Sequence, residues 1–327
     1  MKRAAVLHAA GYVGRSLIDC LLVHPQLDLV AATSRSFAGK PLGAAHPPHT
    51  GRTGLVFSEV LTDPTSLDVV FVAAGHGQGA AATGELRDQG YTGLVIDMSA
   101  DFRLPDPASY QARYGDPHPR PDLLEGAWYG MPEITGAPPK GTTLIANPGC
   151  FASALSLALH PFVGIEGFHF HVTAVTGASG SGALPSATTH FPDRDGNMRA
   201  YKVFGHQHEA EIDRMAPGLP YAFVPVSGPW TAGIWGTAQS LVPAGVDVAA
   251  LLEACYADKP LIRLWPGQLP ELRWSVGSPF TDIGWKQSKD RLVVGFALDN
   301  LQKGAASQAI QNANLAFGWP ETTGLLP

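Results

Sequence analysis

One cysteine and a downstream pair of histidines are the residues whose types could do covalent chemistry. Cys150 closes the run Asn147-Pro148-Gly149-Cys150, with an apolar stretch at 142–146 before it and a small, apolar run at 151–159 after it. The first stretch reads as a short buried strand, and Ala152, Leu155, Ala158 and Leu159 recur at helical spacing. A thiol at a strand-to-helix junction meets outward-pointing backbone N–H groups and the positive end of the helix dipole, which favour the thiolate. Such a thiolate could attack a carbonyl carbon while the same amides hold the developing oxyanion. The ordinary alternative is a buried structural cysteine, but the turn chemistry of Asn-Pro-Gly points to a nucleophile. Further on, Gly205-His206-Gln207-His208-Glu209-Ala210-Glu211 reads as a helix start. Its two histidines and two acids offer a base, an acid and an orienting partner for a thiol. The His-x-His spacing would also suit a metal, but no further ligand pattern accompanies it, so no metal site is expected. His169 and His171 likewise share one face of a strand whose other face is Phe168, Phe170, Val172 and Ala174. An exposed or interface strand explains them better than a metal.

The elements that must position these residues begin with a βαβ pattern. A strand at 4–7, the turn Gly11-Tyr12-Val13-Gly14, a helix at 15–23 and a strand at 27–33 form the setting in which a glycine turn cradles a pyrophosphate at a helix N-terminus. The full dinucleotide fingerprint would place a further glycine at position 8, where this chain has His8. The second strand ends in Thr33-Ser34-Arg35-Ser36 with Lys40 close by, where an NAD site would carry a carboxylate. A cation and hydroxyls suit a 2′-phosphate, so Ser34, Arg35 and Ser36 predict NADP(H); a solvated loop arginine is the alternative. A third strand at 67–74 ends in Gly75-His76-Gly77, and a fourth at 94–98 ends in Ser99-Ala100-Asp101-Phe102-Arg103. Ligands gather at these strand ends in open parallel sheets. His76 falls there with the cofactor, although alone it also reads as a loop histidine. Arg103 lies at the edge where a substrate anion would sit, or is a surface charge. Residues 106–139, rich in proline, glycine and aromatics, read as a long covering loop.

Beyond the cysteine helix, Thr176-Gly177-Ala178-Ser179-Gly180-Ser181-Gly182 reads as a flexible loop, whose glycines could let backbone approach a phosphoryl group, or could merely connect two strands. Ser179 and Gly180 are the substrate-side candidates there. Strands at 221–226, 233–242 and 292–298 and a helix at 248–257 complete a second, α+β domain, and a last helix runs from 300 to near 317. The expected fold class is therefore α/β, a Rossmann-type domain plus an α+β catalytic domain.

Composition narrows the partners. A chain of 327 residues can bury two cores, and a net charge of −6 argues against nucleic acid or an anionic membrane surface. Three scattered cysteines, Cys20, Cys150 and Cys255, suit a reducing cytoplasm without disulfides. The apolar run after Met1-Lys2-Arg3 is too short for a signal peptide, and no stretch reaches membrane-spanning length. A soluble, cytoplasmic protein is expected.

Assembled, these blocks resemble the N-acetyl-γ-glutamyl-phosphate reductase family, which is related to aspartate-semialdehyde dehydrogenase. The resemblance runs through Gly11-Tyr12-Val13-Gly14, Thr33 to Lys40, Ser99 to Arg103, Tyr129-Gly130-Met131-Pro132-Glu133 and Asn147-Pro148-Gly149-Cys150. It continues through Thr189-His190-Phe191, Arg199-Ala200-Tyr201-Lys202, Lys303-Gly304-Ala305-Ala306 with Gln308, Gln311, Asn312 and Asn314, and Glu321 to Leu325. It implies an NADP-binding domain at 1–149 with 303–327, and a catalytic and oligomerisation domain at 150–302. It implies Cys150 as nucleophile, His206 and His208 in acid/base work, and Arg103 and Glu211 near the substrate, with Asn312 beside the cofactor. The implied reaction reduces N-acetyl-L-glutamyl 5-phosphate to its semialdehyde through a Cys150 thioester, releasing inorganic phosphate, in a homodimer or homotetramer. Several positions depart from the family. His8 replaces a fingerprint glycine, Ala183 and Ala232 stand where arginines are usual, Val226-Ser227 replace His-Leu, and Pro279 and Thr281 are unusual. Those beside the substrate side open a second reading, a reductase of an α-aminoadipyl phosphate. A non-catalytic NADP-binding relative is the rival from another class.

Overall fold

The apolar runs of the first half cannot stand as isolated strands, because each is hydrophobic on both faces. In the computed structural model, which describes residues 1–326, they lie side by side in one parallel sheet. Its strands are β1 (Lys2–Leu7), β2 (Leu27–Ala32), β3 (Val69–Val72), β4 (Leu94–Asp97), β5 (Ala127–Tyr129) and β6 (Leu144–Ala146), in the order β2-β1-β3-β4-β6-β5. The order reverses between β1 and β3, which opens a crevice outside their carboxyl ends. The chain divides into two compact units, 1–148 with the C-terminal residues from 305, and 149–304.

Helices α1 (Tyr12–Leu21), α2 (Gln78–Asp88), α3 (Pro107–Tyr114) and α4 (Pro132–Thr135) accompany the sheet, with the C-terminal helix Ala306–Ala316. Leu17, Ile18 and Leu21 of α1 share a core with Ala306, Ala309, Ile310 and Ala313 of the C-terminal helix. That helix also buries a polar face, so each of its amides must find a partner. Gln308 and Asn312 donate to the Gly130 carbonyl, Gln311 to Glu133 and Glu321, and Asn314 to the carbonyls of Glu321 and Thr323. The stretch 106–139 is not a covering loop. Asp106 accepts from the amide and hydroxyl of Ser109, Pro107 follows the cap, and Gly115 ends α3 in left-handed backbone. β5 then adds an edge strand beside β6. Proline and glycine there mark the ends of short elements rather than the absence of structure.

In the second unit, α5 (Cys150–Leu159) is buried at nine of ten positions and packs on a mixed seven-stranded sheet. The sheet comprises β7 (Phe170–Thr176), β8 (Arg199–Ala200), β9 (Tyr221–Ser227), β10 (Ile234–Leu241), β11 (Ile262–Pro266), β12 (Thr281–Ser288) and β13 (Arg291–Leu298), in the order β11-β12-β13-β10-β7-β9-β8. Helices α6 (Phe191–Arg194), α7 (Glu209–Met215), α8 (Val248–Tyr256) and α9 (Leu272–Ser275) complete it. His169 and His171 stack at 5.4 Å on the exposed side of the β7 strand, as the alternation predicts. Among the described residues no cluster of histidine, cysteine or acid is placed to hold a metal, and no helix is long and apolar enough to cross a membrane.

Two acids at the end of β4 are wholly buried, Asp97 and Asp101. Asp101 accepts from the Gly77 and Ala80 amides and so caps the start of α2. Asp97 accepts from Ser99 at 2.6 Å through Oδ2, whereas its Oδ1 has no hydrogen-bond partner among the described residues. Burial, reinforced by Asp101, pushes the Asp97 carboxyl up to about 7. Its folded pKa lies above the unfolded value, so its contribution to stability is full below the unfolded pKa and declines as pH rises towards 7. Asp97→Asn is expected to remove that decline: urea unfolding at pH 5 and pH 8 should show the native chain losing more stability than the variant. Parallel pH profiles would show that Asp97 carries no such proton.

Candidate active site

Cys150 is the first residue of α5, at the junction the sequence predicts. Gly149 before it is extended, and neither a side-chain cap nor a first-turn acid blocks the helix start. The Gly149 amide donates to Glu211 Oε2 at 2.9 Å, and the other oxygen of that carboxylate lies 4.0 Å from His208 Nε2. Glu211 is fully buried, and His208 is the residue immediately before α7. A Cβ on Gly149 would collide with the His208 imidazole, so the ring lies directly against the backbone that precedes the cysteine. His206 stands behind, with its ring centroid 4.8 Å from that of His208 and edge-on to Phe151 at 5.2 Å. Its Nδ1 accepts from the His208 amide at 3.2 Å, which leaves the proton of neutral His206 on Nε2. Cys150, His206, His208 and Glu211 therefore come together within one unit.

Two further residues bear on the thiol, one through its charge and one through contact. Tyr201 is kept protonated chiefly by burial, and Cys150 pushes its pKa the same way. A Cβ on Gly304 would meet Cys150 Cβ at 2.8 Å. Both lie in motif blocks of the sequence, yet neither type advertises a role at a thiol. Lys202 and Phe204, between Tyr201 and His206, hold left-handed backbone at φ of 47° and 57°. Such strain gathers where surrounding structure fixes a functional geometry.

The loop holding Ser179 and Gly180 is a short 3-10 turn, not a flexible connection. The amides of Gly177, Ala178 and Ser179 donate to the carbonyls of Gly233, Trp230 and Thr231, so three of its N–H groups are already taken. Ser179 is buried and bonded to Asn300, whose Oδ1 also accepts from the Gly233 amide at 2.6 Å. Gly180 is exposed on the turn. Of the departing positions, Ala183 is exposed, while Val226, Ser227 and Ala232 are half-buried.

The dinucleotide candidates lie in the first unit. Gly11 precedes α1 in extended conformation, with no side-chain cap and no acid in the first turn. Tyr12 is exposed, Val13 packs on the core, and a Cβ on Gly14 would collide with the Ala9 carbonyl. His8 takes a left-handed φ of 55°, so the turn a glycine would make is retained at a cost of about 1 kcal/mol. Ser34 and Arg35 line one cleft with His8, Leu7 and Glu85, and Ser34 Oγ lies 3.4 Å from Ser36 Oγ. His76 is held 3.1 Å from Asp101 and packs on Tyr110 and Tyr114. Asn312 is fully buried, its Nδ2 shared between Gly130 and Asn147 and its Oδ1 without a partner among the described residues. Arg103 is buried, and donates to the Asn147 and Met98 carbonyls, both at 2.8 Å. An open helix start, a cation at the strand end and an orphaned buried acceptor fit the phosphates and carboxamide of a nicotinamide dinucleotide.

Comparison with known proteins agrees with both units. Residues 3–139 match the family profile of the semialdehyde dehydrogenase NAD-binding domain, and residues 150–300 that of the semialdehyde dehydrogenase dimerisation domain. An N-acetyl-gamma-glutamyl-phosphate reductase of Acidothermus cellulolyticus is 40% identical, with 99% of this chain and 97% of the relative covered. A [LysW]-L-2-aminoadipate 6-phosphate reductase of Deinococcus radiodurans is 36% identical over 99% and 96% of the two chains. In fold, aspartate semialdehyde dehydrogenase II of Vibrio cholerae superposes with a TM-score of 0.71 at 19% identity, covering 97% of this chain and 98% of the other. With a thiol on a helix start, histidines and a buried carboxylate around it, and both domains matched, the chain belongs to the semialdehyde dehydrogenase family and is an enzyme of its phosphate-reductase type.

Proposed function

We propose that the protein is an NADPH-dependent reductase that converts N-acetyl-L-glutamyl 5-phosphate to N-acetyl-L-glutamate 5-semialdehyde, a step of arginine biosynthesis. The observation that carries this reading is the placement of Cys150 at the start of α5, with His208 against Gly149 and Glu211 bonded to the Gly149 amide. The Cys150 thiolate attacks the acyl carbon, its Sγ forming a thioester as the carbon–oxygen bond to phosphate breaks. NADPH, when bound, supplies the hydride that reduces the acyl carbon. Cys150 then leaves again as thiolate when the aldehyde forms. His208 accepts the thiol proton at the outset, and Glu211 orients the ring and favours its charged form. His206, with its proton on Nε2, is a donor to substrate rather than a base. Arg103 of the first unit is proposed as a substrate-side cation, and Ser179 and Gly180 are the substrate-binding candidates of the second. Gly11, Tyr12, Val13 and Gly14 receive the pyrophosphate, Ser34, Arg35 and Ser36 the 2′-phosphate, and His76 and Asn312 the nicotinamide side. The enzyme works in the cytoplasm as a homodimer or homotetramer.

An α-aminoadipyl phosphate is the second reading. The Deinococcus relative and the altered Val226, Ser227 and Ala232 favour it. Phosphate-dependent reduction of NADP by each candidate semialdehyde separates the two.

Three outcomes are expected. Cys150→Ser should abolish turnover while NADPH titration of its fluorescence gives a nearly native Kd; substantial residual turnover would end the covalent mechanism. His208→Asn should lower kcat by about a hundredfold or more, the scale of a lost acid/base group, whereas His206→Asn should mainly raise KM. The reversed pattern would transfer the proton to His206. Arg35→Ala should weaken NADPH far more than NADH, and equal weakening of both would remove the 2′-phosphate assignment.

A further inference from the structure

Position 8 is where the chain departs from the glycine fingerprint inside an otherwise fitting cofactor site. The left-handed backbone that glycine would supply is present, so the imidazole was not accepted for a different turn. The His8 amide donates to Thr33 Oγ1 at 3.2 Å, which ties the turn to the end of β2, next to Ser34 and Arg35. The side chain is half-buried and lines two adjoining clefts that share His8, Arg35, Ala82 and Glu85. A histidine and an arginine lining the same cleft can supply two cationic contacts to a dianion. We propose that His8 is a second cationic ligand, beside Arg35, for the 2′-phosphate of NADP(H), so that binding takes up a proton on its imidazole and strengthens as pH falls. This deepens the assignment of NADPH made above and rests on it.

The charges facing His8 set the direction. Burial lowers its pKa, Arg35 on the β2 loop lowers it further, and Glu85 on α2 opposes them. Glu59 lines the same cleft from the segment after the second strand. Without ligand the imidazole is therefore neutral near pH 7. A phosphate dianion beside it favours the imidazolium, and the stronger, charge-assisted hydrogen bond forms only in the protonated complex. Without the 2′-phosphate, NADH gains nothing from that proton.

The experiment measures Kd for NADPH and NADH by fluorescence titration between about pH 7 and pH 9, where the ligand's own phosphate, with a pKa of about 6, is largely dianionic. The native protein, His8→Asn and His8→Gly are compared; Asn and Gly both tolerate the left-handed turn. The native Kd for NADPH is expected to weaken about fivefold or more across that range, while both variants change little and meet the native value at the alkaline end. NADH should show no such dependence in any of the three. In parallel, the imidazole proton resonance assigned to His8 should titrate at higher pH once adenosine 2′,5′-bisphosphate is added. Identical NADPH profiles in the native and variant proteins, or an unmoved His8 titration, would overturn the role of His8 while leaving NADPH in place. A native protein that binds NADH as tightly as NADPH, with Arg35→Ala without effect, would instead overturn the cofactor assignment itself.

Discussion

A carboxylate wholly removed from water is tolerated only when its oxygens meet donors or positive charge. Glu211 meets the Gly149 amide at one oxygen and faces His208 at the other. That arrangement joins the first turn of α7 to the residue preceding α5, and so sets where His208 stands relative to Cys150. Replacing the acid would leave a buried amide unpaired and remove the carboxylate that faces the ring. The placement of His208 at the start of α5 thus depends on an interaction that contains no atom of the thiol.

Close approach is the second constraint. Gly149 and Gly304 admit the His208 ring and Cys150 respectively, where any Cβ would collide. Gly14 and Gly130 do the same in the other unit for the Ala9 carbonyl and the Asn312 amide. Four glycines far apart in sequence thus mark where backbone must come within contact distance of a functional group. Their role is spatial rather than conformational, since none of the four needs left-handed backbone.

The C-terminal helix shows how polar groups can fill a core. Its alanines and Ile310 share a core with α1, and its amides donate to the Gly130 carbonyl and to the carboxylates of Glu133 and Glu321. This network holds Asn312 in one orientation with its Oδ1 uncommitted among the described residues. Asp97 is the counterpart at the end of β4, an acid with one oxygen unpartnered among the described residues, whose burial makes it keep its proton to higher pH than an exposed one.

Patterns carried by adjacent residues were legible in the chain itself. Continuous apolar runs required a parallel sheet, the alternation of β7 placed His169 and His171 outside, and Gly149-Cys150 announced a strand-to-helix junction. Ser34 and Arg35 at a strand end, without an acid, carried the case for a 2′-phosphate. The same local reading failed at 106–139, because Pro and Gly mark element ends as well as loops and only pairing with β6 reveals β5 as a strand. It also read 177–182 as flexible, because the Asn300 contact and the carbonyls that take its amides come from more than 50 residues away. The contact of Gly304 with Cys150, the His208 ring against the Gly149 backbone, and the left-handed His8 sharing a cleft with Arg35 were decided by tertiary structure alone. Each depends on which group lies across a few ångströms of space, and spacing along a chain does not encode that distance.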